Sequence, residues 1–510
     1  MASINPEHSK SSMLDPRRWS NSGRVAGAAF LVILLPVLWY GPWVPLVDLT
    51  AFVGLDSYPP RLSYGPHHYY IFQITYILPL ALSRILTDLG IPVSAQVSIF
   101  YLAQALVFFG VIWRVLELLV PETRLRAIFI ALGTLAFWNG LFLWGGPLAF
   151  SLSAALLAVA TFLSLREAAC PDKSAGGLIA CLVLLAVASH PFGVLFAAIL
   201  VMVRFLFLAR SRFHSVGMLV ILFLYQIAII RENPEPIPGQ VALRLFSWYP
   251  EDLFDRINDL LNRDVTVTNG VFGAVPPALV LYFVVLGFVH LVGFICSPVV
   301  AVIAKEAPAP RMLATLNTLV LLLYLFAHDG VLISMWSQRI LSFCSPITFT
   351  AGIVAPLYLF RRWRSHKSGA SAGAFLRLRQ AFPIALLALV LAAELPILRL
   401  GRSVAKNYQR TRETLLATGV HDSLLVVSDP EIRPFYLQCV PYLLFSDPEI
   451  VRRHLLLYTP WHTQPRHPSR LAEMQSEGGR PRYQAQFFME GDEVAVRLVP
   501  LKDRTDIMTK

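Results

Sequence analysis

Charge is what this chain of 510 residues has least of: Asp, Glu, Lys and Arg together make up 15% of it. A soluble protein carries about 25%. With 56% hydrophobic residues and a mean hydropathy of +0.59, the shortage excludes an ordinary water-soluble globule. Cysteine is also scarce. Five are present, Cys170, Cys181, Cys296, Cys344 and Cys439, with no CxxC pair and no metal-ligand spacing. Cys181, Cys296 and Cys344 lie in or beside apolar runs, where Cys acts as a small hydrophobe. Only Cys439 falls in the polar C-terminal part, so no disulfide framework is expected. The chemistry-bearing motifs of soluble enzymes are missing too: no GxxxxGK[ST], no GxGxxG after a strand, no HExxH and no GxSxG. Their absence argues against an ATP-driven pump or a metalloprotease.

Long apolar runs fill the space instead. Many approach the roughly 20 residues that cross a bilayer, at about 25–43, 69–87, 94–113, 125–143, 147–165, 176–189, 191–208, 214–230, 271–297, 311–329, 338–360 and 380–400. The expected fold is mainly α, a polytopic transmembrane helical bundle of about 11–13 spans over residues 25–400, with outer loops at 44–68 and 231–270. A small α/β extracytoplasmic domain is expected over 401–510. The net charge of +11 is not a nucleic-acid footprint, because Lys and Arg sit in short connections between apolar runs, as the positive-inside bias requires.

That bias orients the chain in the plasma (inner) membrane, with many passes. Residues 1–24 form a polar tail with Arg17, Arg18 and Arg24 before the first run, so the N-terminus is expected in the cytoplasm. No small-residue cleavage pattern follows, and the first run is expected to be retained rather than removed as a signal. The strongest basic connection, Arg361-Arg362-Trp363-Arg364 with His366 and Lys367, belongs inside. Alternating from it keeps Arg210/Arg212, Arg166/Lys173 and Arg114/Arg124/Arg126 inside. Asn139–Pro147, His190, the 231–270 loop, His328–Gln338 and the tail after Arg402 then lie outside. Twelve crossings would return the tail to the cytoplasm, so an odd number is required. The weakest run is 69–87, broken by Pro79 and carrying Gln73 and Arg84. Either it is a re-entrant or interfacial piece, or a thirteenth crossing exists elsewhere.

Beyond Arg402 the composition shifts. Asn407–Thr418 reads as a helix, Ser423–Val427 and Leu455–Tyr458 as short strands, and Tyr483–Phe488 with Val494–Val499 as a hairpin across Gly491. Ser428-Asp429-Pro430-Glu431-Ile432 recurs as Ser446-Asp447-Pro448-Glu449-Ile450. The Ser-x-x-Glu spacing reads as a capping box with Pro early in the helix, a structural feature rather than a pair of catalytic acids. In the 231–270 loop a Pro-rich stretch precedes an amphipathic segment, Asp252–Leu261, expected to lie over the membrane surface.

Polar residues gather at the expected outer face. Asp48 and Asp56 follow the first run, then Pro59-Pro60 and Gly65-Pro66-His67-His68. Acids near a bilayer face a water-filled cavity or a partner; the plainer alternative is a solvated loop with a helix-capping Asp. His190 breaks two short apolar runs in Ser189-His190-Pro191, as a structural residue or a ligand. Asn139, His328 and Asp329 emerge on the same side. Arg339 begins a run and needs an anion, either Asp329 or a lipid phosphate.

Together these features resemble the GT-C superfamily of integral-membrane glycosyltransferases, which use a lipid-phosphate-linked sugar at the outer face. The resemblance rests on the acidic loop after the first run and on Phe137-Trp138-Asn139-Gly140 followed by Gly145-Gly146-Pro147-Leu148-Ala149-Phe150. It rests also on the Ser-His-Pro break, the Gln338-Arg339-Ile340-Leu341-Ser342-Phe343 segment and the extracytoplasmic C-terminal domain. The chain departs from related bacterial proteins where their Asp-Leu-Pro-x-His pattern reads Asp48-Leu49-Thr50-Ala51-Phe52, and no Asp-x-Asp pair or Asp-Glu dyad is present. The resemblance implies Asp48 as catalytic base with Asp56 assisting. It further implies Arg339 and His190 at the donor phosphate, with His67, His68, Asn139, His328 and Asp329 lining the substrate site. The partners it implies are a polyprenyl-phosphate-linked sugar donor, a glycan, lipid or protein acceptor, and membrane lipids. No particular cofactor is indicated, and a divalent metal stays open. The competing reading is a catalytically inactive scaffold or lipid/glycan-binding protein of the same architecture. A transporter, which would show paired broken helices in two related halves, comes third.

Overall fold

Apolar runs of Leu, Ala, Val, Ile and Phe leave their backbone groups no polar neighbours, and a helix is the local way to satisfy every N–H and C=O. The computed structural model of the chain describes residues 21–40, 77–91, 93–138, 148–172, 174–189, 192–232, 244–245, 277–328, 333–365, 375–420, 424–426, 437, 439–444, 447–453, 455–456 and 483–500. These are mostly helical. The helices are α1 (Asn21–Tyr40), α2 (Ile77–Asp88), α3 (Val93–Leu119), α4 (Thr123–Trp138), α5 (Leu148–Ala169) and α6 (Gly176–Val187). They continue as α7 (Phe192–Phe207), α8 (Arg212–Glu232), α9 (Pro277–Ile303), α10 (Pro308–Phe326), α11 (Ile333–Ser365) and α12 (Phe375–Ala417). Each falls on one of the apolar runs. Among the described residues two stretches, Leu152–Ala169 and Val284–Ile303, are by themselves long and apolar enough to cross a membrane. Gly23–Val32, Gly176–Val187, Gly193–Phe207 and Pro383–Ala392 are apolar but shorter.

The helix connections sort to two ends. At one end, arginines tie neighbouring turns together. Arg361 pairs with Glu122, and the Arg362 guanidinium donates to the Ile303 carbonyl at 3.0 Å. Arg210 donates to the Pro171 carbonyl at 3.2 Å, and Arg311 to the Ala301 carbonyl at 2.9 Å. At the opposite end a two-residue antiparallel ladder joins β1 (Arg244–Leu245) to β2 (Ala327–His328), pairing Arg244 with His328. That ladder was not legible in the sequence; it ties the long 231–270 segment to the start of α11.

Helix α2 stays at the opposite end. Its Leu78 N–H donates to the Ala188 carbonyl at 3.3 Å, beyond the end of α6. Its other half is fastened to the start of α3: the Gln96 side chain accepts from Ser83 Oγ at 3.0 Å and donates to Thr87 Oγ1 at 3.0 Å and to the Ile91 carbonyl at 2.9 Å. From there α3 runs about 40 Å to the arginine-rich end, whereas the 12 residues of α2 rise about 18 Å.

Helices α9, α10 and α11 pack on one another with a close crossing. A Cβ on Gly293 would lie 2.6 Å from the Gly352 Cα, and one on Gly352 would overlap the Val289 carbonyl oxygen. Small residues let two backbones approach this far, as is common where helices meet in a membrane. Asn317 of α10 seals the crossing, donating to Ser297 Oγ at 2.8 Å.

The sequence reading ended the last run near Leu400 and began a separate helix at Asn407. The structure corrects this: α12 is one helix of 43 residues, because nothing between Arg399 and Lys406 interrupts the backbone ladder. Its distal part enters the C-terminal domain. Val404, Tyr408, Thr411 and Leu415 recur at helical spacing on one buried face. They pack with Ala485 and Phe487 of β5 (Tyr483–Glu490), Val494 of β6 (Glu493–Pro500), and the short helices α13 (Cys439–Leu444) and α14 (Pro448–Arg453). The sheet, completed by β3 (Leu424–Val426) and β4 (Leu455–Leu456), has the order β4-β3-β5-β6. β3 is parallel to β4 and β5, and β5–β6 is the expected hairpin, turning at Gly491 with φ +64°. The outer edge of β6 is closed by α12. The Val494 N–H donates to Asn407 Oδ1 at 2.6 Å, and its carbonyl accepts from Thr411 Oγ1 at 3.2 Å. An edge strand covered in this way is not free to recruit another.

The second Ser-Asp-Pro-Glu-Ile copy also needs correcting. Asp447, not Ser446, caps α14: its Oδ1 accepts from the N–H groups of Glu449 (2.9 Å) and Ile450 (3.1 Å). Pro448 is the first helical residue, so the capping position falls on the residue before it. Glu449 does not reach back as a capping box would; it binds Arg412 at 2.6 Å and Arg453 at 3.0 Å. The first copy, at 428–432, lies outside the described residues, as does the segment 252–261.

Candidate functional site

The residues that the sequence singled out are reached here through their flanks. Asp48, Asp56, His67, His68, Asn139, His190 and Asp329 lie outside the described residues. His328 and Arg339 are described by their backbone, the first in β2 and the second in the first turns of α11. No side-chain geometry therefore joins the proposed acids to the proposed arginine.

The flanks nevertheless meet. Ala186, Val187 and Ala188 close α6 just before His190. Their three carbonyls accept from Ser153 Oγ of α5 (2.7 Å), Tyr225 Oη of α8 (3.3 Å) and the Leu78 N–H of α2 (3.3 Å). Ser153 opens α5 shortly after the Asn139–Pro147 segment, and Leu78 follows the segment that carries His67 and His68. Gly193, at the start of α7, permits this junction: a Cβ there would lie 2.6 Å from Ser153 Oγ and 2.8 Å from the Ala186 carbonyl. The described flanks on α2, α5 and α6 thus meet at Ala186–Ala188, toward the end of the bundle opposite the arginines. β2 brings His328 to that same end.

Two ionisable residues lie buried within apolar runs. Arg204 is fully buried and donates to Ser164 Oγ (2.7 Å) and to Glu167 (3.0 Å), tying α7 to α5 near the arginine-rich end. A buried charge that is paired and hydrogen-bonded in this way holds helices together. His290 of α9 is buried edge-on to Phe349 of α11, with ring centroids 6.5 Å apart. Glu394 lies in α12. Among the described residues no three His, Cys, Asp or Glu side chains gather as a metal site needs.

Sequence reasoning passed over one polar side chain. Gln104, inside the apolar α3, is 3% exposed, and among the described residues it is the one whose side-chain nitrogen and oxygen are both buried without a hydrogen-bond partner. An uncharged amide within a long apolar run was the available signal. The run was read as a span by its hydropathy, which a single Gln does not disturb.

No protein-family model matches the chain, and no curated protein matches it. Among solved structures it is similar to the arabinofuranosyltransferase AftD from Mycobacteria, with a TM-score of 0.43 and 16% identity, over 81% of this chain. It spans 30% of the length of that protein. At that level of likeness nothing about substrate or catalysis carries across.

Proposed function

We propose that the protein is an integral-membrane glycosyltransferase that moves a sugar from a polyprenyl-phosphate-linked donor to a glycan, lipid or protein acceptor at the outer face of the membrane. The observation that carries the reading is the convergence around Ala186–Ala188, where the flanks of the candidate polar segments meet at one end of a helical bundle. Immersion in lipid is supported by the outward faces of the helices. On α8, Phe213, Val216, Val220, Phe223 and Leu224 form an exposed stripe, and on α9 Leu281, Phe288, Ile295, Val299 and Val302 do the same. In water, apolar patches of that extent do not stay uncovered. With α2 set aside, we count the other eleven helices over the apolar runs, α1 and α3 to α12, as crossings. An odd number of crossings agrees with a cytoplasmic N-terminus and an outer C-terminal domain, and the arginine-rich end then faces the cytoplasm, as the positive-inside bias requires.

The chemistry follows from the residue types. An acceptor hydroxyl is a poor nucleophile at neutral pH. Asp48 takes its proton as the oxygen attacks the anomeric carbon, and Asp56 orients the pair. The bond from that carbon to the phosphate oxygen breaks, and its electrons leave on polyprenyl phosphate. This leaving group is already anionic, so it needs a cationic clamp more than a proton. Arg339, with His190, supplies it. The remaining polar candidates, His67, His68, Asn139, His328 and Asp329, line the sugar and acceptor ends. The test is transfer from a synthetic polyprenyl-phosphosugar in proteoliposomes: Asp48→Asn lowers turnover by at least about 10²-fold while donor binding persists. Full activity in both Asp48→Asn and Asp56→Asn overturns the assignment.

A further inference from the structure

The arginines around the end of α7 are not used alike. Arg204 is spent on Glu167 and Ser164. Arg311 donates to the Ala301 carbonyl and lies over the Phe207 ring, 5.2 Å from its centroid. Arg210 donates to the Pro171 carbonyl and stands 3.6 Å from Asp172, with both side chains mostly exposed; a pair that open to solvent contributes little. Arg212, the first residue of α8, is exposed and differs from all three. Its Nε donates to the Phe205 carbonyl at 3.4 Å, and its guanidinium lies 5.8 Å from the centroid of the Phe205 ring. These contacts fix the group in place. Among the described residues its two terminal nitrogens bond nothing.

Apolar surface begins directly beside it. Phe213, the next residue, is 86% exposed, and Leu206 of α7 is exposed as well. From Phe213 the uncovered stripe of α8 runs through Val216 and Val220 to Leu224, about 16 Å along the helix. The corner between α7 and α8 therefore offers a held cation at one level and a bed for hydrocarbon at the next. A free phosphate would use the cation and leave Phe213 in water. A diacyl phospholipid uses both: the terminal edge of a guanidinium gives two parallel N–H groups to a phosphate, and the acyl chains cover the stripe. Charge selects the headgroup. Arg210 and Arg212 outnumber Asp172 at this corner, which favours a headgroup with no ammonium of its own.

We infer that the α7–α8 corner is a binding site for an anionic phospholipid, with its phosphate on Arg212 and its chains along Phe213 and the α8 stripe. The inference rests on the reading of the chain as membrane-embedded, and needs neither the transferase chemistry nor the orientation.

The test uses the full chain with p-benzoylphenylalanine in place of Phe213, in nanodiscs of equal parts phosphatidylglycerol and phosphatidylcholine. Lipid photo-cross-linked at position 213 should be phosphatidylglycerol over phosphatidylcholine by at least about fivefold, and Arg212→Gln should lower that ratio about fivefold. The same probe in place of Phe360, exposed on α11 at the same arginine-rich end, should give one ratio with and without Arg212→Gln. Millimolar glycerol phosphate should leave the enrichment at 213 unchanged. Equal capture of the two lipids at 213, or enrichment undiminished in Arg212→Gln, overturns the inference and leaves the membrane reading standing. A fall at both positions also overturns it, because the variant would then act through overall charge or folding rather than through this corner. Enrichment abolished by glycerol phosphate overturns it in favour of a free phosphate ester. Absence of any lipid cross-link at both positions removes the membrane reading and the inference with it.

Discussion

Replacing Asp447 by alanine should loosen the C-terminal domain from the end of α12 without disturbing the bundle. The carboxylate is 7% exposed and does four things at once. Its Oδ1 caps α14 through two backbone N–H groups. Its Oδ2 accepts from the Tyr408 hydroxyl and from Arg412 Nε at 2.8 Å, both on α12. Loss of an N-cap costs about 0.5–2 kcal/mol, and a hydrogen bond to a charged group about 1.5–3 kcal/mol. The four bonds share one group and do not add, so the expected loss is about 3–5 kcal/mol, the range for removing one partner of a buried pair. Burial by itself would raise the Asp447 carboxyl, but hydrogen bonds from Tyr408, Arg412 and the Ile450 N–H outweigh it and hold the carboxyl below its ordinary value. Burial first, and the bond to Asp447 second, push the Tyr408 hydroxyl well above its ordinary range, so it remains a donor. A depressed carboxyl contributes stability that is fully present above its unfolded value near 3.9 and is lost as pH falls through the folded value. Docking should therefore be unchanged from pH 7 to pH 5 and weaken progressively only once pH falls below the ordinary Asp value of about 3.9. Hydrogen exchange of the β5–β6 amides reads the effect, with wild type protected and Asp447→Ala exchanging at least about 100-fold faster. Equal protection in the two proteins at pH 7 would refute the reasoning.

Other outcomes follow from other contacts. Gly352→Val should cost at least about 1–3 kcal/mol, because the obstacle to its Cβ is the Val289 backbone rather than a movable side chain; a melting temperature equal to that of wild type in detergent would count against the crossing. Arg339→Lys keeps the charge but loses the planar fork, so affinity for decaprenyl phosphate should fall if Arg339 clamps a phosphate. Equal affinity in wild type and variant would return it to an ion-pair role. A cysteine introduced at Ser476 should react with an impermeant reagent from the outer side; reaction only after the inner face is opened would reverse the orientation.

Hydropathy by itself located twelve helices, because an apolar run commits to a helix through its own backbone, whatever its neighbours are. Alternation and Gly491 located the β5–β6 hairpin for the same local reason. The basic connections around Arg166, Arg210 and Arg361 mark one end of the bundle in the sequence itself. The candidate acids and histidines were chosen from chemistry and spacing alone, and the described contacts reach only their flanks. Tertiary structure decided what depends on distant partners. It held α2 at one end through Ala188 and Gln96, although its sequence reads as another run. It carried α12 through into the C-terminal domain, where Val494 and Asp447 make its polar half a packing surface. It brought Tyr408 and Arg412 of α12 to the Asp447 carboxylate, joining a local helix cap to a distant helix. And it left Gln104 without a partner: sequence records that an amide is present, and only the packing of surrounding helices determines whether anything in the protein can answer it.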